Sequence, residues 1–166
     1  MKDHNFSQKE NVLLVGVIYG RLDDEKVHEH LDELSLLTET AGGNIISRVT
    51  QKISKINPSF FIGKGKAEEI IQSAKDLKIT TIIFDDELSP SHLKNYNNLS
   101  KEIKIIDRSM LILEIFKQHA QTKEAKTQVE LAELQYMLPR LTRAWTHLER
   151  QMGGIGTRAG AGETQI

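Results

Sequence analysis

Cysteine is absent from all 166 residues, which excludes disulfides and thiolate zinc sites and makes the cytosol the natural compartment. No sign of charge dominates either. The 22 Lys and Arg stand against 23 Asp and Glu, so a net charge of -1 gives no global field for steering toward nucleic acid, and any RNA contact must come from a local patch. Long hydrophobic runs are also missing: the longest, Val12 to Tyr19, falls far short of the roughly 20 residues that a membrane-spanning helix needs. Met1 to Asn11 is polar and lacks the apolar core of a signal peptide. The histidines, at 4, 28, 30, 92, 119 and 147, show no ligand spacing, so no metal site is expected, and no catalytic residue is assigned.

What is present is the composition of an ordinary soluble protein, 39% hydrophobic and 27% charged, at a length that suits one compact domain with an appendage. Residues 1–107 read as an α/β subdomain of four strand-then-helix units, the pattern of a parallel sheet covered by helices. Val12 to Tyr19 is apolar on both faces, as a central strand should be. Asp23, Asp24 and Glu25 then open a helix whose stripe is Val27, Leu31, Leu34, Leu37 and Ala41, closed by Gly42-Gly43. In the second strand Ile45, Val49 and Ile53 share one face while Ile46, Arg48, Thr50 and Lys52 take the other, which suits a sheet edge. Ala67, Ile70, Ile71, Ala74 and Leu77 form the next helical stripe, and Thr80 to Phe84 is the third strand. Ser89-Pro90 caps a short helix through Leu93, Tyr96 and Leu99 before Ile103 to Ile106 closes the sheet. An edge position for the second strand gives the order 2-1-3-4, with right-handed crossovers.

Residues 108–166 read as a helical appendage. From about Ser109 a helical pattern runs to about Thr142 without a strong break, a rod of roughly 50 Å at 1.5 Å per residue. Met110 to Phe116 is apolar enough to dock on the sheet, whereas Lys117 to Gln128 is almost wholly polar and projects into solvent. Val129, Ala132 and Tyr136, with Leu131, Leu134, Leu138 and Leu141, restore apolar stripes beyond the reach of the sheet domain. They call for a second helix, and left unpaired they offer a face for self-association. Pro139 removes one ladder hydrogen bond and should bend the rod. A helix-start pattern at Glu163 suggests the returning half of an antiparallel hairpin that the chain cuts short.

Three groups of residues invite a functional reading. Gly63-Lys64-Gly65-Lys66 opens a helix, where backbone amides and the helix dipole can cradle a phosphate; the alternative is a plain glycine turn with solvated lysines. It is not a P-loop, because the G-x-x-x-x-G-K-[ST] spacing occurs nowhere and Ala67 stands where a magnesium-binding hydroxyl is needed. Asp85, Asp86 and Glu87 follow the third strand and Asp107 the fourth, at the carboxyl edge where open α/β sheets bind ligands, although acids before a helix also serve as caps. Arg140, Arg143, Arg150 and Arg158 outnumber Glu149 and Glu163, leaving +2 beside Trp145, His147 and a tip with five glycines in ten residues, from Gly153 to Gly162. Arginine forks pair with phosphates, aromatics stack on unpaired bases, and glycine permits close backbone approach, so this segment suits structured RNA. The alternative is a solvated helix end with Trp145 against the missing partner helix.

The runs Phe61-Ile62-Gly63-Lys64-Gly65-Lys66, Phe84-Asp85-Asp86-Glu87-Leu88-Ser89-Pro90, Asp107-Arg108, Thr122-Lys123-Glu124-Ala125-Lys126, Gln128-Val129-Glu130-Leu131-Ala132, Leu138-Pro139-Arg140-Leu141 and Gly153-Gly154-Ile155-Gly156-Thr157-Arg158 closely resemble the amino-terminal domain of the HflX GTPases. The resemblance covers nearly the whole chain in the same order. It implies a parallel α/β subdomain, a long helical hairpin, and a GTPase domain further on that binds GTP and Mg2+ and serves as a partner of this region; it implies no cofactor here. It further implies binding to ribosomal RNA of the large subunit, splitting of stalled or stress-arrested ribosomes, and a loop, about Arg143 to Gly162, reaching the peptidyl transferase centre. Arg140, Arg143, Trp145, Arg150, Gly153, Gly154, Gly156, Thr157 and Arg158 are then the RNA-contacting residues. The resemblance also raises an alternative, an ATP-binding, RNA-remodelling domain with its nucleotide at Gly63 to Lys66. One departure stands out: the family usually reads Gly-Pro-Gly before Glu-Thr-Gln, and Ala159-Gly160-Ala161-Gly162 here lacks the rigid proline turn.

Overall fold

A computed structural model describes residues 9–153, with side chains described as far as Leu138. The chain runs β1 (Asn11–Ile18), α1 (Asp24–Thr40), β2 (Asn44–Lys52), α2 (Lys64–Asp76), β3 (Thr81–Phe84), α3 (Pro90–Leu99), β4 (Lys104–Asp107), α4 (Arg108–His119) and α5 (Lys123–Gly153). The four strands form one parallel sheet in the order β2-β1-β3-β4, as the strand patterns predict. No helix among the described residues is long and apolar enough to cross a membrane.

The alternation of side chains along β1 sorts the core into two layers. Val12 and Leu14 face one side with Ile83 and Ile106, where α1 supplies Val27, Leu31, Leu34 and Ala41 and α4 supplies Leu111. Leu13, Val15 and Val17 face the other with Ile82 and Phe84, covered by Ala67, Ile70, Ile71 and Ala74 of α2 and Tyr96 of α3. Leu77, expected in the α2 stripe, follows the last turn of that helix and is exposed. Gly16 lets α1 come close: a Cβ there would stand 2.7 Å from Cγ1 of Val27 and 2.9 Å from Cδ1 of Leu31.

Caps fix where the helices start. Asp23 accepts from the Lys26 amide, and Ser89 accepts from the amide of His92. His92 closes that capping box through Nδ1, which accepts from the Ser89 amide, so its proton sits on Nε2 and is donated to the Asn57 carbonyl at 2.9 Å. Burial accordingly lowers its pKa.

The appendage departs from a single rod. The helix stops at His119 and restarts at Lys123, with Thr122 as the new cap, its hydroxyl accepting from the Ala125 amide at 3.0 Å. Two shorter helices meeting at a corner let α5 turn back toward the sheet: α5 packs against α3 and α4, and Tyr136 reaches Asp107, so the stripe of Val129, Ala132 and Tyr136 is not beyond the body's reach, whereas Leu131, Leu134 and Leu138 stay exposed as expected. At its far end α5 continues through Pro139 and on to Gly153, past the expected end near Thr142. Between Pro139 and Gly153 the sequence holds no further proline or glycine to end it.

Candidate functional site

The Gly63–Lys66 turn is built by strain nearby. Phe61 adopts φ 69°, a conformation that costs a non-glycine residue roughly 1–2 kcal/mol. Paired Asn57–Phe61 backbone bonds, both 2.9 Å, hold it there, and the buried ring packs edge-on against Tyr19 and His92. Gly63 at φ 97° then turns the chain into α2, whose first amides receive no side-chain cap. Lys64 lies 4.0 Å from Glu68, while the Lys66 ammonium donates to the Lys52 carbonyl at 3.1 Å. Gly65 faces open space. This turn is an exposed cradle of amides with one of its two ammonium groups already engaged.

The carboxyl edge of the sheet gathers the acids as expected, but their roles differ from the cap reading. Asp85 and Asp86 cap nothing. They sit at the seam of β1 and β3, where the hydroxyl of Tyr19 donates to Asp86 at 3.3 Å. Desolvation, reinforced by the charge of Asp85, pushes Asp86 up to about 6. Burial also raises Asp85, against the pull of Arg108 and His30. Arg108 Nε lies 2.9 Å from Asp85 Oδ1, a close ion pair that is off the N–H line, since neither atom makes a well-formed hydrogen bond. His30 Nδ1 stands 3.6 Å from the other oxygen. Arg108 also donates to the His30 carbonyl at 3.0 Å and reaches Glu33 at 3.5 Å, so it ties α4 to α1.

Asp107 is the true cap, and more. Fully buried at the end of β4, it accepts from the Met110 amide through Oδ1 at 3.0 Å. Its Oδ2 accepts from the Leu88 amide at 3.0 Å and from the Tyr136 hydroxyl at 2.5 Å. Asp107-Arg108 is therefore a two-sided clip: one residue holds the β3–α3 turn and α5, the other holds α1. Sequence reasoning placed Asp107 at this edge but passed over Tyr136, read as part of an apolar stripe, and Tyr19, His30 and Glu33. Their partners lie tens of residues away, and only the polar tip of an otherwise apolar tyrosine hinted at a buried acceptor. No group of three or more His, Asp or Glu among the described residues is arranged to hold a metal ion.

The RNA-binding candidates fall in two places. Arg140, Arg143, Trp145, Arg150 and Gly153 lie on α5, which corrects the expectation that a loop begins near Arg143. Gly154, Gly156, Thr157 and Arg158 lie outside the described residues, as does the helix start expected at Glu163.

A parallel α/β body with helices that leave its carboxyl edge is shared with a solved GTP-binding protein. The family model described as "GTP-binding GTPase N-terminal" matches residues 28–117, and that described as "GTP-binding GTPase Middle Region" matches residues 119–166. GTPase HflX of Flavobacterium psychrophilum is 52% identical over 157 residues, 95% of this chain and 38% of that protein. GTPase HflX of Escherichia coli K12 is 43% identical over 157 residues, 95% of this chain and 36% of its own length. A GTP-binding protein from the hyperthermophilic archaeon Sulfolobus solfataricus, solved in complex with GDP, superposes with a TM-score of 0.64 at 28% identity, covering 93% of this chain and 46% of that one. The chain belongs to the HflX family of GTPases and corresponds to its amino-terminal region. It spans 38% and 36% of the length of the two HflX relatives.

Proposed function

We propose that this chain is the ribosome-binding amino-terminal region of an HflX-type GTPase, one that associates with the large ribosomal subunit and splits or rescues stalled ribosomes. In this reading α5 is an arm. It carries Arg140, Arg143, Trp145, Arg150 and Gly153, and delivers Gly154, Gly156, Thr157 and Arg158 toward ribosomal RNA near the peptidyl transferase centre. GTP hydrolysis, with its Mg2+, belongs to the part of the HflX proteins that this chain does not match, and that GTPase domain is the body's partner within the same polypeptide.

The collinear match of the N-terminal and middle family regions across residues 28–166 carries the reading. A helix that runs to Gly153 supports it, since positions 140, 143 and 150 recur in the sequence at the helical spacings of three and seven. Arginines in such a row suit a phosphate backbone, because each can fork onto one phosphate.

Sedimentation with large ribosomal subunits over a salt series tests the proposal. Binding should be weak and should fall steeply with salt, because each neutralised phosphate releases counterions. Replacing Arg140, Arg143, Arg150 and Arg158 together with Gln should weaken binding by roughly tenfold or more and flatten the log–log salt slope by roughly one for each phosphate no longer neutralised. Unchanged affinity and slope in that variant would refute the assignment.

A further inference from the structure

We propose that the hydrogen bond from Tyr136 to Asp107 is a latch that sets the angle at which α5 leaves the α/β body. The corner between α4 and α5 is only Ala120, Gln121 and Thr122, with Gln121 and Thr122 exposed and Ala120 in an extended conformation. The corner's hydrogen bonds, from Ala120 to Phe116 and from Ala125 and Lys126 to Thr122, each stay within one helix and do not tie α4 to α5. Beyond the corner, Leu131, Leu134 and Leu138 are each more than half exposed, so this side of α5 is not sealed onto the body. Directional bonds near the root then count for more than they would in a packed helix pair.

Asp107 suits the task of a fixed post. It is fully buried, ends the β4 strand and starts α4, and its Oδ1 and Oδ2 accept from the amides of Met110 and Leu88, both at 3.0 Å. Two amides, one from α4 and one from the β3–α3 turn, hold its carboxylate, so the Tyr136 hydroxyl meets an oxygen positioned by the body. The two residues stand 29 positions apart, so the bond bridges the corner rather than lying within one helix. From the corner at Thr122 to Gly153 α5 runs for about 46 Å, and a swing of about 20° about that corner would carry the far end through roughly 16 Å. That displacement exceeds the reach of a side chain, so a tip meant for a fixed target needs a fixed root. Tyr136 is in this sense a positioning residue for whatever the arm touches, and the latch does not depend on the identity of that target.

The absence of cysteine makes the test direct. Spin labels at Lys94→Cys on α3 and Glu130→Cys on α5, both away from the buried core, report the angle through pulsed dipolar distances. With Tyr136 intact the distance distribution should be narrow; Tyr136→Phe should roughly double its width or move its centre by several ångströms. Leu134→Ala, which removes an exposed side chain from the same helix, should leave it narrow. An unchanged distribution in Tyr136→Phe, or equal broadening in Leu134→Ala, would overturn the proposal. Loss of the far-ultraviolet circular dichroism of the sheet in Tyr136→Phe would overturn it as well, because neither core cluster includes Tyr136 and a latch should not support the core. None of these outcomes bears on ribosome binding, which the sedimentation experiment tests separately.

Discussion

At the seam between β1 and β3, desolvation and the neighbouring charge of Asp85 hold the Asp86 carboxyl at about 6, against an ordinary value near 4. Between those two values the folded chain keeps a proton that the unfolded chain has released, so this group's contribution to stability is full below about pH 4 and is lost as pH rises through about 6. Asn in its place does not titrate, and it can still accept from Tyr19. Asp86→Asn should therefore equal the unaltered protein near pH 4 and exceed it by about 1 kcal/mol at pH 7.5, once partial exposure is discounted. Urea midpoints at pH 4, 5, 6 and 7.5 check this, and a variant less stable at pH 7.5 would mean that the ionised carboxylate is worth more to Tyr19 than its burial costs. His92 has the opposite slope, since burial depresses its pKa and stability is lost as pH falls below its ordinary value near 6.5. Both proteins retain His92, so the difference between them isolates Asp86.

Between elements, what decides stability is how closely α1 lies on β1. A methyl group at position 16 would overlap Val27 and Leu31, two buried core residues, and the helix or the strand would have to shift. Overpacking of this kind costs about 1–3 kcal/mol, so Gly16→Ala should lower the urea midpoint accordingly while leaving the m-value unchanged. This body was largely legible in advance, because a strand buried on both faces and helices with 3.6-residue stripes are local patterns; β1, α1, β2 at the edge and the Ser89 cap follow from them. The corner at Ala120–Thr122 was not legible. It contains neither glycine nor proline, and Thr122 sits in a polar run that a solvated helix would also tolerate; the break accompanies a contact between residues 29 positions apart, Tyr136 and Asp107, which leaves no local signal. For the same reason the candidate site was half visible. Gly63–Lys66 and the acids of the carboxyl edge announce themselves locally, whereas the links from Arg108 to His30 and from Tyr19 to Asp86 span tens of residues and leave no periodic trace. The left-handed turn at Phe61 runs against its own side chain, and only the bonds from Asn57 make it possible.

In the molecule as a whole, the α/β body is joined through the corner at Ala120–Thr122 to α5, and the two core clusters of the described residues lie in the body and α4. Among the described residues, the two core clusters and the side chains packed on them draw on none later than Ile115, so a chain ending at Ala120 should keep both clusters whole. What it gives up is the Tyr136 donor to Asp107 and the packing of α5 on α3 and α4. Asp107 would still accept from Met110 and Leu88, which spares it the penalty of a buried unpaired charge. The shortened chain should therefore fold cooperatively, with a stability loss of about 1–2 kcal/mol, since among the described residues it loses the Tyr136 hydrogen bond to a carboxylate and the packing of partly exposed side chains. All four arginines proposed to meet RNA follow Ala120 in the sequence, so the body alone should not sediment with large ribosomal subunits at any salt concentration that retains the longer chain. If it sediments equally well, the anionic partner is met by the body, and the lysines around the Gly63–Lys66 turn become the surface to change next. If it fails to fold, the arm is part of the core after all, and the idea of a rigid body steering a separate reaching helix is wrong at its root.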